Sequence, residues 1–256
     1  MIGPARNQSF FDLNFPVLVA ASCLLPLTGL VLCEVICVLF YFRQCTITIC
    51  GSADEVWNFL PSVSVATGQL APQKYIWRIF IALHATPRFL IAAGYHSMHK
   101  LMFVGNKSLL MYRHLSNVAY FLHVLEVLAL VGLSFVSSAE DYDVHKVCFA
   151  TFMLSATLHM MTVCVLHSFG KKAVQFSLTH EEKFSLKCKL ILFVINALFF
   201  SAALYFFHRH NTYCEDGVYS LFGFCEIVVV MTNIAFHGTA IIDFRGSRLA
   251  LLDFER

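Results

Sequence analysis

Charge is what this chain has least of. Only 13% of its 256 residues are Asp, Glu, Lys or Arg, whereas 58% are hydrophobic. Soluble domains run near 25% charged, so this balance excludes an ordinary soluble enzyme. Disorder is excluded as well, because a disordered chain needs few apolar residues and a high net charge, here only +2. Blocks of like charge are missing, which leaves nothing to attract nucleic acid. The ten cysteines contain no CxxC backed by a second CxxC or a His pair, so no zinc site and no other metal is expected. Nor do they read as a secreted disulfide scaffold. Cys23, Cys33, Cys37, Cys148, Cys164 and Cys225 lie inside apolar runs, where a thiol serves as a small core hydrophobe. No segment alternates apolar and polar residues, which removes a transmembrane barrel. Repeats, low-complexity tracts and linkers are also missing, so 1–256 reads as a single membrane domain.

Long apolar runs are what the chain does have. Six stretches stand out, at about 16–42, 75–95, 115–136, 147–169, 190–207 and 219–242. Each is close to the roughly 20 residues that cross a bilayer core at about 1.5 Å per residue. The first run is longer than the apolar core of a signal peptide and only Arg6 precedes it, so it is expected to be retained as a helix. The expected fold is all-α, a polytopic bundle of six transmembrane helices.

Six spans put both termini on one side. That side carries Arg6, Lys100, Lys107, Arg113, Lys171, Lys172, Lys183, Lys187, Lys189, Arg245, Arg248 and Arg256; the other carries Arg43, Lys74, Lys146 and Arg209. The ratio, about three to one, makes the termini cytosolic. The sequons at Asn7 and Asn106 then face the cytosol and stay unmodified. The one long connection, 43–74, lies on the opposite side and carries Trp57, Phe59 and Leu60, which suit a segment packed on the membrane surface.

Ionisable groups inside a span cost several kcal/mol, roughly 2.5–3.5 on insertion scales, and so need a reason. The spans hold Glu34; Arg78, His84 and Arg88; His123 and Glu126; His159; Asn196; and Glu226, Asn233 and His237. His84 and Arg88 share a helix face, as do Asn233 and His237. Each group alone is explained by a helix-to-helix hydrogen bond or a packing ion pair. Spread over all six helices, together they point to a polar cavity. Pro26 and Pro87 are expected to kink the first two helices, Trp77 and Tyr75 beside Lys74 read as an interface anchor, and the Phe residues read as lipid-facing filler.

Two outer loops add further candidates: Ser137 to Asp143 with His145, and His208 to Glu215. Solvated loop polarity explains either, but an imidazole is a ready base and Arg suits phosphate. Cys50 and Cys214 lie on the same side and are able to pair, with Cys45 as a competitor.

Three stretches then carry a likeness. They are Leu60-Pro61-Ser62-Val63-Ser64 leading through Pro72–Arg78 to Leu83-His84-Ala85-Thr86-Pro87-Arg88; Val136-Ser137-Ser138-Ala139-Glu140-Asp141 with His145; and Arg209–Glu215 running on to Thr232-Asn233-Ile234-Ala235-Phe236-His237. In order and spacing these resemble the post-GPI-attachment-to-proteins factor 2 family of the DRAM/Frag/Sfk superfamily, over nearly the whole chain. The resemblance implies a six-span membrane protein of the Golgi, with the endoplasmic reticulum as a second location. It implies a role in lipid remodelling of GPI anchors: reacylation of lyso-GPI at sn-2 with a saturated chain. The implied partners are GPI-anchored proteins, lyso-GPI, membrane lipids and other remodelling proteins. No cofactor is implied, the acyl donor being acyl-CoA or a phospholipid.

Such a transfer needs a base, an oxyanion stabiliser and a phosphate clamp. The candidate catalytic groups are His84, assisted by Glu126 or Glu226, with His210, Asp141 and His145 as surface alternatives. Arg88, Arg209, Asn211, Asn233 and His237 are the candidate substrate-binding groups. Ser62 and Ser64 are candidate acyl carriers, although a loop serine is more often a turn or cap. The competing class is a lipid-binding or scaffolding protein that assists a separate acyltransferase, with a transporter behind it.

Overall fold

The computed structural model describes residues 9–51, 54–101, 109–172 and 179–252. Arg6, Asn7, Asn106, Lys107 and Arg256 lie outside them, and of Lys171 and Lys172 only the backbone is described. In chain order the elements are β1 (Ser9–Asn14), α1 (Phe15–Phe40), α2 (Phe42–Thr46), β2 (Thr48–Cys50), β3 (Asp54–Val56), α3 (Val63–Gly68), α4 (Gln73–Leu101), α5 (Leu109–Phe135), α6 (Tyr142–Lys172), α7 (His180–Tyr213), α8 (Val218–Gly238), α9 (Ala240–Asp243) and β4 (Arg248–Leu252). Six of these helices are long and apolar enough to cross a membrane: α1, α4, α5, α6, α7 and the run from α8 into α9. The protein is a multi-pass helical bundle.

The helices outrun the apolar stretches that announce them. The fifth run, expected at 190–207, becomes 34 residues from His180 to Tyr213, about 50 Å of helix against a core of about 30 Å. Hydropathy marks only what lipid must cover, whereas backbone hydrogen bonding continues until a cap stops it. For α7 the start is a capping box, Thr179 with Glu182, and the end is Cys214 in the left-handed region at φ 53°. The first helix instead stops at Phe40, short of the expected 42, and the short α2 follows. Pro26 and Pro87 both lie inside helices that run on past them.

Neighbouring helices close a ring. α1 packs on α4, α4 on α5, α5 on α6, α6 on α7, α7 on α8, and α8 returns to α1. At one end β1 pairs antiparallel with β4, so the first and last described segments meet. At the other end β2 and β3 form a hairpin, and α3 tucks against α1, α4 and α8. The described residues of the long connection therefore form a cap. Two disulfides fasten it: Cys50 to Cys214, with Cα atoms 5.6 Å apart, and Cys37 to Cys45, at 6.2 Å. Cys37 had been expected as a core thiol; its partner stands on α2, which folds the chain back over the end of α1.

The rim of the bundle is apolar, as a lipid-facing surface must be: Leu24, Val31, Phe121, Leu128, Leu154, Leu198 and Leu204 are all exposed. The Phe residues divide, because Phe15, Phe152, Phe222, Phe236 and Phe244 are buried between helices. Trp77 is also buried, donating its indole N–H to Ser134 Oγ at 3.0 Å, while Tyr75 stays exposed.

Candidate functional site

Two knots of buried polar groups and an apolar gallery mark the interior. The first knot centres on Glu126 of α5, which is wholly buried. Its Oε1 accepts from Arg88 Nη2 at 2.9 Å and from Asn233 Nδ2 at 3.0 Å, and lies 2.9 Å from His237 Nε2. Its Oε2 stands 3.2 Å from His159 Nδ1. Arg88 Nε donates to His123 Nε2 at 3.2 Å. Four helices, α4, α5, α6 and α8, thus converge on one carboxylate. The low local dielectric that makes such a pair strong makes an unpaired member very costly.

His123, His159 and His237 bring their ring nitrogens within 4.8 Å of one another, a spacing that would admit a metal ion. The donor set argues against one. Arg88 already reaches the Nε2 atoms of His123 and His237. A divalent ion beside one Arg and one Glu would leave two net positive charges in the membrane core, whereas Arg88 with Glu126 is neutral. The knot reads as a neutral ion pair braced by imidazoles.

His84 does not join this carboxylate. Its Nδ1 is 2.6 Å from the Ser22 carbonyl on α1, which sets the ring between α1 and α4. Glu226 is elsewhere again, accepting the Val63 backbone N–H at 3.0 Å. No direct hydrogen bond joins His84 to Glu126 or Glu226 among the described residues, although His84 and Glu226 line the same narrow cavity.

A second knot lies at the termini end and was not visible as a site in the sequence. Asp243 accepts from Lys189 Nζ, Ser185 Oγ and Tyr95 OH, each at 2.6 Å, and lies 3.5 Å from His167 Nε2. Lys189, expected as a cytosolic loop charge, is 1% exposed. The only hint was its place at the edge of an apolar run, opposite an Asp at the edge of another.

The gallery is apolar. A cavity of about 640 Å³ opens between α6 and α7 at the hairpin end, walled by Phe149, Met153, Phe200, Ala203, Leu204 and Phe207. This volume falls within the range of about 300–1,000 Å³ typical of ligand pockets. A narrower extension shares Ser64, Phe149, Met153, Phe200, Ala203 and Glu226 with it and runs inward to His84, Arg88 and Asn233. The polar mouth is formed by Ser64, Ser138, Tyr142, His145 and Lys146.

At that mouth His145 has a defined tautomer. Its Nδ1 lies 2.8 Å from the Val136 carbonyl, which can only accept, so Nδ1 carries the hydrogen. In the neutral ring Nε2 is then the acceptor, and Ser64 Oγ stands 3.2 Å from it in position to donate. The ring is 7% exposed. The arrangement is a hydroxyl hydrogen-bonded to a base that a third group orients.

Other candidates have visible structural duties. Asp141 Oδ1 accepts the Val144 N–H at the start of α6, an N-cap. Arg209 is held bidentate by Glu215, at 2.6 and 2.9 Å, and that ion pair lowers the Glu215 carboxyl below its usual range. His210 is buried beneath the hairpin, with Nε2 3.4 Å from Thr48 Oγ1. Asn211 is exposed on the surface. Ser62 caps α3, its Oγ accepting from Val65 N. Arg78 grips the turn after α5 through the carbonyls of Ser134 and Phe135 and through Glu140. The Arg78 guanidinium, with the N–H and hydroxyl of Ser137, pulls the Glu140 carboxyl down to about 2. That turn holds Val136, the carbonyl that orients His145.

No solved structure matches the chain. Residues 14–247 match the family model of the Frag1/DRAM/Sfk1/Cwh43P N-terminal domain. Among curated relatives, "Acyltransferase PGAP2" of Xenopus tropicalis is 37% identical over 98% of this chain and 96% of its own length. "Post-GPI attachment to proteins factor 2" of Drosophila pseudoobscura pseudoobscura is 41% identical over 92% and 88%. The protein of that name in Caenorhabditis elegans is 36% identical over 89% and 84%. With a family model spanning nearly the whole chain and relatives this similar over most of their length, the chain belongs to the Frag1/DRAM/Sfk1 family, among its post-GPI attachment to proteins factor 2 members.

Proposed function

We propose that this protein remodels the lipid of GPI anchors, acting as an acyltransferase that restores a saturated chain at the sn-2 hydroxyl of lyso-GPI. The observation that carries the reading is the gallery: an apolar trough between α6 and α7 with a hydroxyl–imidazole pair at its mouth. The trough is as apolar as the surrounding lipid tails, so a long saturated chain passes into it from the leaflet with little free-energy cost. The ester to be made or broken then rests beside His145. Its Nε2 takes the proton of the attacking hydroxyl and returns it to the leaving oxygen. Lys146, lining the same mouth, faces the phosphate and sugars that remain at the surface. The names of the relatives support the substrate class, since they are called acyltransferase or post-GPI attachment factor. GPI-anchored proteins, lyso-GPI and neighbouring membrane lipids are the corresponding partners.

The mouth, the hairpin and both disulfides share the end of the bundle opposite the termini. Disulfides form in oxidising compartments. With the positive-inside bias, this supports cytosolic termini and a mouth opening to the lumenal leaflet of Golgi or endoplasmic reticulum membranes. A tag at either terminus should be digested by protease added to sealed microsomes. A protected tag reverses the orientation.

The test uses the purified protein in proteoliposomes, with a lyso-GPI analogue and isotopically labelled stearoyl-CoA or phospholipid, followed by mass spectrometry. Labelled diacyl product identifies an acyltransferase. Binding of lyso-GPI without transfer from either donor supports the second reading, an accessory that presents lipid to another enzyme. The polar groups committed to ion pairs in the Glu126 knot favour that alternative.

A further inference from the structure

We propose that Ser64 carries the acyl chain as a covalent ester between two half-reactions, and that its donor is a diacyl glycerophospholipid of the same leaflet. The proposal rests on the acyl-transfer reading above and adds to it a nucleophile, a donor class and an order of events.

Three observations lead there. The Val136 carbonyl fixes the proton of His145 on Nδ1, so Nε2 accepts from Ser64 Oγ at 3.2 Å and the hydroxyl is already aligned with its base. The neighbouring serine is spent, because Ser62 is fully buried and caps α3 through Val65 N. The backbone leading into Ser64 is held against α8. Glu226 of α8 accepts the Val63 N–H at 3.0 Å, and Gly223 lies so close that a Cβ there would meet the Pro61 carbonyl oxygen at 2.6 Å. A loop serine in a turn needs neither device.

The cavity supplies the order of events. Among the described residues the trough meets Ser64 and His145 at one polar mouth, so in a direct transfer the donor and acceptor glycerol backbones would compete for that place. A carrier removes that conflict. The donor chain enters, Ser64 Oγ attacks the sn-2 ester carbonyl, and His145 Nε2 takes the Oγ proton. The new C–O bond to Ser64 forms, the bond to the glycerol oxygen breaks, and that oxygen leaves as the hydroxyl of a lysophospholipid with the proton from His145. The sn-2 hydroxyl of lyso-GPI then attacks the Ser64 ester and gives its proton to His145. Ser64 leaves and recovers that proton. One ester replaces another at each stage, with no redox change. The lateral opening of the trough between two membrane helices admits a lipid already in the leaflet, which favours a phospholipid over a soluble thioester.

The full-length protein in proteoliposomes of phosphatidylcholine bearing deuterated stearoyl at sn-2, without lyso-GPI, tests this. Peptide mass spectrometry of the acid-quenched sample should find a deuterated stearoyl ester on Ser64 that disappears when a lyso-GPI analogue is added. Labelled lysophosphatidylcholine should also exchange into phosphatidylcholine in the absence of lyso-GPI, as a ping-pong carrier requires. Ser64→Ala should abolish both signals, and His145→Gln should slow the exchange at least about 100-fold. A long-chain alkyl fluorophosphonate applied to the unmutated protein should modify Ser64 but not Ser62, independently of how the variants fold. Lyso-GPI acylation that persists in Ser64→Ala overturns the carrier and leaves the acyltransferase reading standing. An ester formed from stearoyl-CoA but not from phosphatidylcholine overturns the donor. A protein that binds lyso-GPI yet forms neither ester nor product overturns both.

Discussion

An imidazole tied at one nitrogen to a backbone carbonyl has one nitrogen left for chemistry. His145 is in that state, and its value as a base depends on Val136 staying where the turn after α5 holds it. His145→Gln keeps a polar side chain of similar reach but cannot take a proton. Transfer to lyso-GPI is expected to fall about 10²- to 10⁴-fold with the thermal midpoint little changed. Steady-state rates beside a melting curve in detergent check both halves. Glu140 controls the same turn from the other side. Its folded pKa is depressed from 4.5 to about 2 by Arg78 first and Ser137 second, so its contribution is present above about pH 4.5 and is lost as pH falls towards 2. The turn is therefore fully fastened at neutral and mildly acidic pH. Glu140→Gln should raise hydrogen exchange over 134–145 at neutral pH, as measured by mass spectrometry, with little further change on acidification.

At the scale of elements, two contacts decide whether the site exists. The backbone at Pro61–Ser62 lies against α8 only because residue 223 lacks a side chain. Gly223→Ala should push the Pro61–Ser62 backbone away from α8, shift Ser64 out of line with His145 and lower acyl transfer more than stability, which paired activity and melting measurements will show. The Glu126 knot ties α4, α5, α6 and α8 together. Glu126→Gln leaves Arg88 charged and unpaired in the membrane core, at a cost of about 3–5 kcal/mol. Replacing Arg88 and Glu126 together by Leu should recover part of that loss. Thermal unfolding of the single and double variants separates this bracing role from catalysis, since a catalytic carboxylate would not be rescued by removing its partner.

Across the whole molecule, the gallery sets what can be transferred. Ala203 is 4% exposed and lines both the wide and the narrow part. Ala203→Phe should fill the trough and shift the preference from long to short acyl chains, read as relative turnover of stearoyl and shorter donors. The ring of helices around this gallery was legible in outline from the sequence. Six runs near 20 apolar residues with little charge have one physical solution in lipid, because only a helix satisfies every backbone N–H and C=O internally. The ends were less legible. Thr179 and Cys214 terminate α7 by capping, a local signal that hydropathy does not contain. The order in segment 43–74 was hidden for a similar reason, since two disulfides and the pairing of β2 with β3 replace the apolar run that would have announced it.

The sequence by itself determined the solvent, the number of spans, the family and the residue types available for chemistry. All of these follow from local composition and from motifs in order along the chain. Partnership was decided only by the tertiary structure. Arg88 and Glu126 stand 38 positions apart, Ser64 and His145 stand 81 apart, and Glu226 reaches Val63 across 163. Helical periodicity gives the face a residue occupies on its own helix, not the helix that face will meet. In this protein those meetings place Glu126 against an arginine, and set beside a hydroxyl the imidazole of His145, which the sequence offered only as a surface alternative and which the structure places in the first turn of α6.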